Sequence, residues 1–355
     1  MTGATATRRP NRFETASVVA AAGCSVLAAV LDLASAPNTV VFLASGLALL
    51  TLAWIVGMST EQLAESSGPK IGGVLNATFG NAAELIITIF AIRAGQLEVA
   101  TASITGSILG NTLLVLGASF VVGGLRHGTQ TFDRRVAGMN SSMLALAVIG
   151  LGLPTAFAAA RGTGSDVQTI SDVTAAVLLL LYGLSLVYYF RSSSGGHPPT
   201  GLQHWSARAA MAALLASTAA VAVISDVFVG TLDAVIADIG ISAAFLGLVI
   251  VPIVGNIAEN IAALKIAYQD RMDFSILVSL GSSLQVALGV APVLVFVSLL
   301  TAHSFDLVFP TIQVIALAAA ATITALIAAD GESNWLEGAQ LVAVYAIVAT
   351  SFWYL

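Results

Sequence analysis

The chain is a succession of long apolar stretches joined by short polar connections. A helix needs about 20 apolar residues to cross a bilayer, and eleven stretches have about that length. The pattern therefore predicts an all-α integral membrane protein with eleven transmembrane helices. They are predicted at residues 16–34, 38–57, 71–93, 99–123, 137–159, 171–190, 207–226, 242–266, 274–300, 310–329 and 336–355.

The composition agrees with a membrane protein and argues against several other classes. Hydrophobic residues make up 57% of the chain and charged residues only 9%, whereas a soluble domain carries roughly 25% charged residues. The single cysteine, Cys24, has no partner for an internal disulfide. The net charge of -6 is spread over many short loops. Because basic residues form no cluster, we expect no nucleic-acid partner.

The distribution of lysine and arginine predicts which helix ends face the cytoplasm. Positive residues concentrate on the cytoplasmic side of membrane proteins. With a cytoplasmic N-terminus, the external loops contain only Arg93 and Arg161. The predicted cytoplasmic segments contain Arg8, Arg9, Arg12, Lys70, Arg126, Arg134, Arg135, Arg191, Arg208, Lys265 and Arg271. We therefore expect a cytoplasmic N-terminus and an external C-terminus, in the plasma membrane of a prokaryotic cell.

Two segments of the chain carry the same motif at a constant offset. The sequence Gly-Asn-Ala-Ala-Glu at 80–84 recurs as Gly-Asn-Ile-Ala-Glu at 255–259. The sequence Gly-Ser-Ile-Leu at 106–109 recurs as Gly-Ser-Ser-Leu at 281–284. Matched residues lie 175 positions apart, and 26 positions separate the asparagine from the serine in both copies. Constant spacing over so long a block indicates an internal duplication.

The same charges predict that the two copies have opposite orientations. Lys70 precedes the first motif, whereas Lys265 and Arg271 follow the second. If all three are cytoplasmic, the first motif helix runs outward and the second runs inward, as in transporters built from inverted repeats. The predicted domains are an N-terminal segment with the extra helix (1–35), a first five-helix repeat (36–191), a cytoplasmic linker (192–206) and a second five-helix repeat (207–355).

The motif residues predict an ion site inside the membrane. A carboxylate within a membrane helix is costly and by default indicates a function. Glu84 follows Asn81 by three positions, and Glu259 follows Asn256 in the same way. That spacing puts the amide and the carboxylate on one helix face. Pro252 lacks a backbone donor and should kink the second motif helix.

Small and neutral residues complete the predicted site. Gly80 and Gly255 permit unwound backbone whose carbonyl groups could face a cation. Gly106 and Gly281 permit close helix packing. Neutral side-chain oxygens come from Ser107, Ser282 and Gln285. Helix packing is the alternative role for both serines, and Gln285 could hold a neighbouring ligand instead of the ion.

The predicted ligands are all oxygen atoms, which determines the ions that suit them. Two carboxylates among neutral oxygens, without thiol or imidazole, suit a hard divalent cation, with Ca²⁺ first and Mn²⁺ next. The same carboxylates can bind protons, because two like charges in a poorly hydrated site repel each other. Binding of either a cation or protons is the basis of an exchanger. Ca²⁺ and protons are then substrates, and we expect no resident cofactor.

At these residues the sequence resembles the cation/proton exchanger family of the calcium/cation antiporter superfamily. The resemblance rests on 76–85 and 106–109 in the first repeat and on 252–259 and 281–285 in the second. It implies eleven helices in two inverted five-helix repeats plus one extra helix. It also implies Ca²⁺ export driven by inward proton flow, with Glu84 and Glu259 as central ligands. Asn260 departs from the pattern, since that family usually has histidine there.

Other functions remain as alternatives at this point. One alternative is a sodium-coupled calcium exchanger. The pattern that such exchangers resemble has an acidic residue near position 285, where this chain has the neutral Gln285. A passive cation channel would not couple its flux to a pH gradient. An intramembrane hydrolase would need a motif such as H-E-x-x-H, which the sequence lacks. We therefore expect a secondary transporter rather than an enzyme, with membrane lipid around it and a homo-oligomer as a further expectation.

Overall fold

The structure is a computed structural model that describes residues 12–67, 75, 76, 78–162, 164–191 and 205–354. The predictions for Arg8, Arg9, Lys70 and linker residues 192–204 lie outside the described residues. The helices are α1 (Arg12–Leu33), α2 (Asn38–Ser67), α3 (Ala82–Arg93), α4 (Leu97–His127), α5 (Arg134–Arg161), α6 (Ser165–Arg191), α7 (Ala207–Gly230), α8 (Leu232–Ile239), α9 (Ala243–Gly255), α10 (Ile257–Tyr268), α11 (Met272–Ser298), α12 (Thr311–Ile327) and α13 (Trp335–Trp353).

The described helices include many that can cross a membrane. Eight of them are long and apolar enough, and α8 with α9, bent by 118°, makes a ninth if that pair is one span. The predicted span 242–266 is divided between α9 and α10, and the span 310–329 becomes the 17-residue α12. Part of the span 71–93 lies outside the described residues. The multi-helical membrane fold is therefore confirmed, and the count of eleven stays a prediction.

Polar side chains begin several of these helices, as capping chemistry requires. The Asp133 carboxylate accepts hydrogen bonds from the first backbone N–H groups of α5. Ser206 accepts from Ala209 N at the start of α7. Asn334 and Glu337 form a reciprocal capping box at the start of α13. Each cap satisfies donors that a helix cannot pair internally.

Two long helices change their winding directly after the repeated Gly-Ser motif. The π-helical segment Gly110–Val115 interrupts α4, and Val286–Val290 interrupts α11. The two segments are equivalent in the duplication, since Val286–Val290 lies 175 positions after residues 111–115. A third π-helical segment, Leu246–Ile250, lies in α9 directly before Val251 and Pro252. Such segments leave backbone groups imperfectly paired and often occur at functional sites.

Small residues bring the central helices close together. A Cβ on Gly106 would collide with the backbone of Leu248, and one on Gly247 would collide with the carbonyl of Val99. The α4–α9 crossing therefore depends on glycine on both helices. Close backbone approach is how helices associate in lipid, where burial of apolar surface gives no advantage.

Contacts between loops sort the helix ends into two groups. At one end His127 contacts the carbonyl of Tyr268 at 3.0 Å, and Gln130 donates to Asp270 at 2.7 Å. These contacts place the end of α4 beside the end of α10 and the start of α11. At the other end Gln96 donates to Asp233 at 2.6 Å, which places the start of α4 beside the end of α7. Thus α4 and α11 begin at opposite ends of the bundle.

One short sheet joins two loops at the first of these ends. Strand β1 (Gln130–Thr131) pairs antiparallel with β2 (Glu332–Ser333), with Gln130 opposite Ser333. The hydropathy pattern did not predict this pairing, because two residues are too short to show any periodicity. The sheet ties the start of α5 to the start of α13.

Candidate functional site

Both motif helices start at an asparagine in nearly the same backbone conformation. Asn81 precedes α3 with φ -103° and ψ 21°, and Asn256 precedes α10 with φ -113° and ψ 16°. These angles lie near the bridge region rather than in the helical region. The helical winding therefore breaks at the asparagine in both motifs, and in the first motif Gly80 lies in the same turn. Each motif glutamate then lies in the first turn of its new helix, where the helix dipole favours negative charge.

Glu84 is fully buried among polar groups from other helices. Its side chain has 0% exposure. The Asn256 amide donates to Glu84 Oε2 at 3.1 Å and lies 3.4 Å from Ser107 Oγ. The Ser107 hydroxyl also hydrogen-bonds with Glu84. The amide of the second motif thus holds the carboxylate of the first.

Glu259 has a similar but more accessible environment. It is only partly buried, and its carboxylate hydrogen-bonds with the Ser282 hydroxyl. The Ser282 hydroxyl also lies 3.3 Å from Asn81 Oδ1. The Asn81 amide in turn donates to Gln285 Oε1 at 2.9 Å. First-motif Asn81 therefore connects to the residues around second-motif Glu259.

The motif glycines provide space for the glutamate of the opposite motif. A Cβ on Gly80 would lie 2.7 Å from Glu259 Oε1 and 3.4 Å from Gln285 Oε1. A Cβ on Gly255 would lie 3.1 Å from the Cβ of Glu84. Neither glycine has a positive φ, so close approach is the reason for glycine here. Gly80 also lies in the turn before α3, as the sequence suggested, whereas Gly255 is the last residue of α9.

The other predicted helix-packing residues differ from one another. Gly106 makes the tight crossing with α9 described above. Around Gly281, no described residue lies within 4 Å of a Cβ position. The residues that match the α9 partner of Gly106, at 72–74, lie outside the described residues. Pro252 is buried in α9 just after its π-helical segment, where the ring leaves a backbone carbonyl without its usual donor.

Several buried oxygen atoms at this site are available to a ligand. Among the described residues, Glu84 Oε1, Glu259 Oε2 and Asn256 Oδ1 have no hydrogen-bond partner. Each glutamate also lies against the glycine of the opposite motif, so the two carboxylates belong to one cluster. Leaving such groups buried and unpaired is costly, so a cation or protons would stabilise them. Within the described residues no cluster of three or more His, Cys, Asp or Glu side chains is placed to hold a metal. A cation at this site would therefore be held by two carboxylates together with amide and hydroxyl oxygens.

The sodium/calcium exchanger protein family matches the chain at residues 37–191 and 209–354. The chain belongs to this family. The two matched segments also fall on either side of the polar stretch that the sequence indicated as a linker.

Curated relatives of this exchanger-family chain match it over most of their length. A Ca²⁺/H⁺ antiporter of Synechocystis sp. is 40% identical over 345 residues, covering 89% of this chain and 91% of the relative. The Ca²⁺/H⁺ antiporter ChaA of Bacillus subtilis is 39% identical over 328 residues, covering 90% and 93%. Among solved structures, the Ca²⁺/H⁺ antiporter protein YfkE is 37% identical and superposes with a TM-score of 0.84, covering 97% of this chain and all of that one. The resemblance to cation/proton exchangers is thereby confirmed.

Two tyrosines outside the repeated motif lie beside the site and were missed from the sequence. Tyr345 of α13 lines a small cavity with Ser107, Asn256 and Asn260. Tyr182 of α6 packs its ring 3.3 Å from the Cβ position of Gly289 and lies near Glu259. A single tyrosine in an apolar span belongs to no repeat or motif. The only sequence signal for these two residues is a phenolic hydroxyl within a membrane helix.

Proposed function

We propose that this chain is a secondary transporter that exchanges Ca²⁺ for protons across the membrane. The observation that carries the proposal is the arrangement of two carboxylates, one buried and one partly buried, among polar groups of the opposite motif. Asn256 of the second motif holds Glu84 of the first, and Gly80 of the first motif makes room for Glu259 of the second. The relatives named as Ca²⁺/H⁺ antiporters support the same choice of ions.

The ligands favour a hard divalent cation over softer or monovalent ions. Glu84 and Glu259 supply two negative charges, which match one Ca²⁺. Amide and hydroxyl oxygens of Asn81, Asn256 and Ser107 are neutral ligands of the kind that Ca²⁺ accepts. Ser282 and Gln285 extend the same set. Ca²⁺ and protons are substrates of this site, and Mn²⁺ is the next ion that it suits.

Two inverted five-helix repeats best explain how the site is assembled. Helices α4 and α11 carry the matching Gly-Ser motifs and begin at opposite ends of the bundle, as the contacts at Gln96 and His127 support. Helices α3 and α10 carry the glutamates and end at opposite ends. The proposed boundaries are 36–191 and 207–355 for the repeats, 192–206 for the linker and 1–35 for the N-terminal segment, with eleven spans in total.

The same sorting of helix ends supports an orientation in the membrane. Arg126, Arg134, Arg135, Lys265 and Arg271 belong to the end where β1 pairs with β2. Arg93 belongs to the opposite end. By the positive-inside rule the first end is cytoplasmic. The C-terminus is then external, and a prokaryotic plasma membrane is the proposed location.

Exchange follows from the alternative occupants of the two carboxylates. Ca²⁺ or protons neutralise Glu84 and Glu259, and a neutral site can pass through a closed, poorly hydrated state. An empty, doubly charged site resists closure, because burying unpaired charge is costly. Each cycle therefore moves Ca²⁺ one way and protons the other, as repeats of opposite topology alternate in access to the two sides.

Transport by the purified, full-length protein in liposomes tests the proposal. An outwardly directed proton gradient should drive uptake of radioactive Ca²⁺, and collapse of the gradient with a protonophore should stop it. The alternative is a sodium-coupled exchanger, which the family match also admits. A sodium gradient that drives Ca²⁺ movement at fixed pH, with protonophore present, would support that alternative. Ca²⁺ flux that ignores both gradients would indicate a passive channel.

A further inference from the structure

A groove between two helices opens at the end of the bundle where β1 pairs with β2. Its volume is about 470 Å³. The start of α5 and the end of α12 form its walls. The lining residues are Arg134, Arg135, Gly138, Ser141, Ser142, Ala325, Ala328 and Ala329. The groove lies well away from the ion site and plays no part in the exchange described above.

The groove joins a positive end to a smooth apolar channel. Both arginines are exposed, and neither has an ion-pair partner within the described parts of the chain. The aliphatic stem of Arg134 packs across Gly331, which fixes where its guanidinium group can reach. The rest of the lining consists of glycine, alanine and serine, with no described atom within 4 Å of a Cβ position on Gly138.

The surroundings indicate that the groove faces lipid. Val136 and Leu326, next to the groove on its two walls, are 38% and 69% exposed. The hydroxyl of Ser142 already donates to the carbonyl of Gly138 at 2.8 Å. The backbone N–H groups of Arg135 and Val136 are capped by Asp133. The two guanidinium groups are the charged donors that the groove offers to an anion.

We propose that this groove binds one anionic phospholipid, with its phosphate at Arg134 and Arg135 and one acyl chain along the small residues of α5 and α12. Guanidinium groups form paired hydrogen bonds with phosphate oxygens. Basic pockets between membrane helices on the cytoplasmic side bind anionic headgroups. The orientation proposed above puts the groove in the cytoplasmic leaflet. The headgroup of a zwitterionic lipid also contains a positive group, which the two arginines would repel, so such a lipid should bind less well.

Native mass spectrometry of the purified full-length protein tests this site. The probes are phosphatidylglycerol and phosphatidylcholine with identical acyl chains. The wild-type protein should retain phosphatidylglycerol in preference to phosphatidylcholine. Substitution of each arginine, Arg134→Gln or Arg135→Gln, should lower that preference about fivefold. Arg161→Gln at the opposite end of α5 is the matched control and should leave it unchanged.

A second variant separates the contribution of the groove's shape to lipid binding from the contribution of the arginine charges. Gly138→Leu should fill the channel while both arginines remain, and it should reduce retention of both lipids. Ca²⁺ exchange by each variant shows that it has folded. Equal retention of the two lipids by the wild-type protein would overturn the proposal, as would an effect of Arg161→Gln equal to that of the groove arginines.

The same spectra distinguish two other occupants. If inorganic phosphate displaces phosphatidylglycerol and Gly138→Leu has no effect, the groove binds a free anion and not a lipid. If Gly138→Leu changes the number of subunits without changing lipid retention, the groove is a contact between copies of this chain. Either result would also overturn the proposal.

Discussion

The amide of Asn256 donates a hydrogen bond to the carboxylate of Glu84 at 3.1 Å, although the two residues lie 172 positions apart. This contact makes the first motif incomplete without the second, since Glu84 alone would lack the amide that orients it. In the other direction, the Asn81 amide donates to Gln285 beside the second motif. The two halves of the chain therefore share one site, and changes in either half should affect binding by the other.

Removal of either motif charge should abolish exchange. In Glu84→Gln and in Glu259→Gln, the protein loses one of two charges that face a divalent ion and one group that carries protons. Proton-driven Ca²⁺ uptake into liposomes should fall to the level of empty vesicles in both variants. Glu98→Gln, at the exposed start of α4, is a matched control and should retain transport. Near wild-type exchange by either motif variant would contradict the shared site.

Protons and Ca²⁺ should compete for the site. Protonated carboxyl groups cannot ligate the cation, so apparent Ca²⁺ affinity should weaken as pH falls and recover as pH rises. With two coupled carboxylates, the dissociation constant should change by up to about 100-fold per pH unit in the steepest region. Calorimetric titration of Ca²⁺ at several pH values measures this, and an affinity that is flat from acid to alkaline pH would rule out competition.

Alanine at the motif glycines should impair binding in a predictable order. A Cβ at position 80 would lie 2.7 Å from both Glu259 Oε1 and the backbone carbonyl of Asn76. At position 255 the closest atoms, in Glu84, would lie 3.1 to 3.3 Å away. Gly80→Ala should therefore weaken Ca²⁺ binding more than Gly255→Ala does. Gly183→Ala in α6, with no described atom within 4 Å, is the control, and calorimetry of all three variants gives the order.

Sodium should compete weakly at the wild-type site and more strongly after one substitution. Gln285 is neutral and accepts a hydrogen bond from Asn81. In Gln285→Glu a carboxylate can accept the same bond while adding a third negative charge, which favours additional monovalent cations. Sodium should then inhibit Ca²⁺ uptake in the variant at concentrations that leave the wild-type protein unaffected. Gln168→Glu, on α6 outside the site, should behave like the wild-type protein.

Much of the site could be predicted from the sequence because the duplication repeats its residues. Glu84, Asn81 and Ser107 occur again at a constant offset, and repetition distinguishes them from other polar residues in apolar spans. Tyr182 and Tyr345 have no such repetition. They reach the site only because α6 and α13 pack against the π-helical segments of α11 and α4.

The sequence by itself determined the multi-helical membrane fold and predicted the oxygen ligands that we propose for the site. Hydropathy indicates membrane helices reliably, because a helix in lipid satisfies its backbone hydrogen bonds locally. The tertiary structure decided which residues meet. It pairs Asn256 with Glu84 and Asn81 with Gln285, across 172 and 204 positions, and it gives Gly80 and Gly255 the role of making space. Such pairings depend on how helices cross, and helix crossing is set by packing of many side chains together rather than by any local pattern.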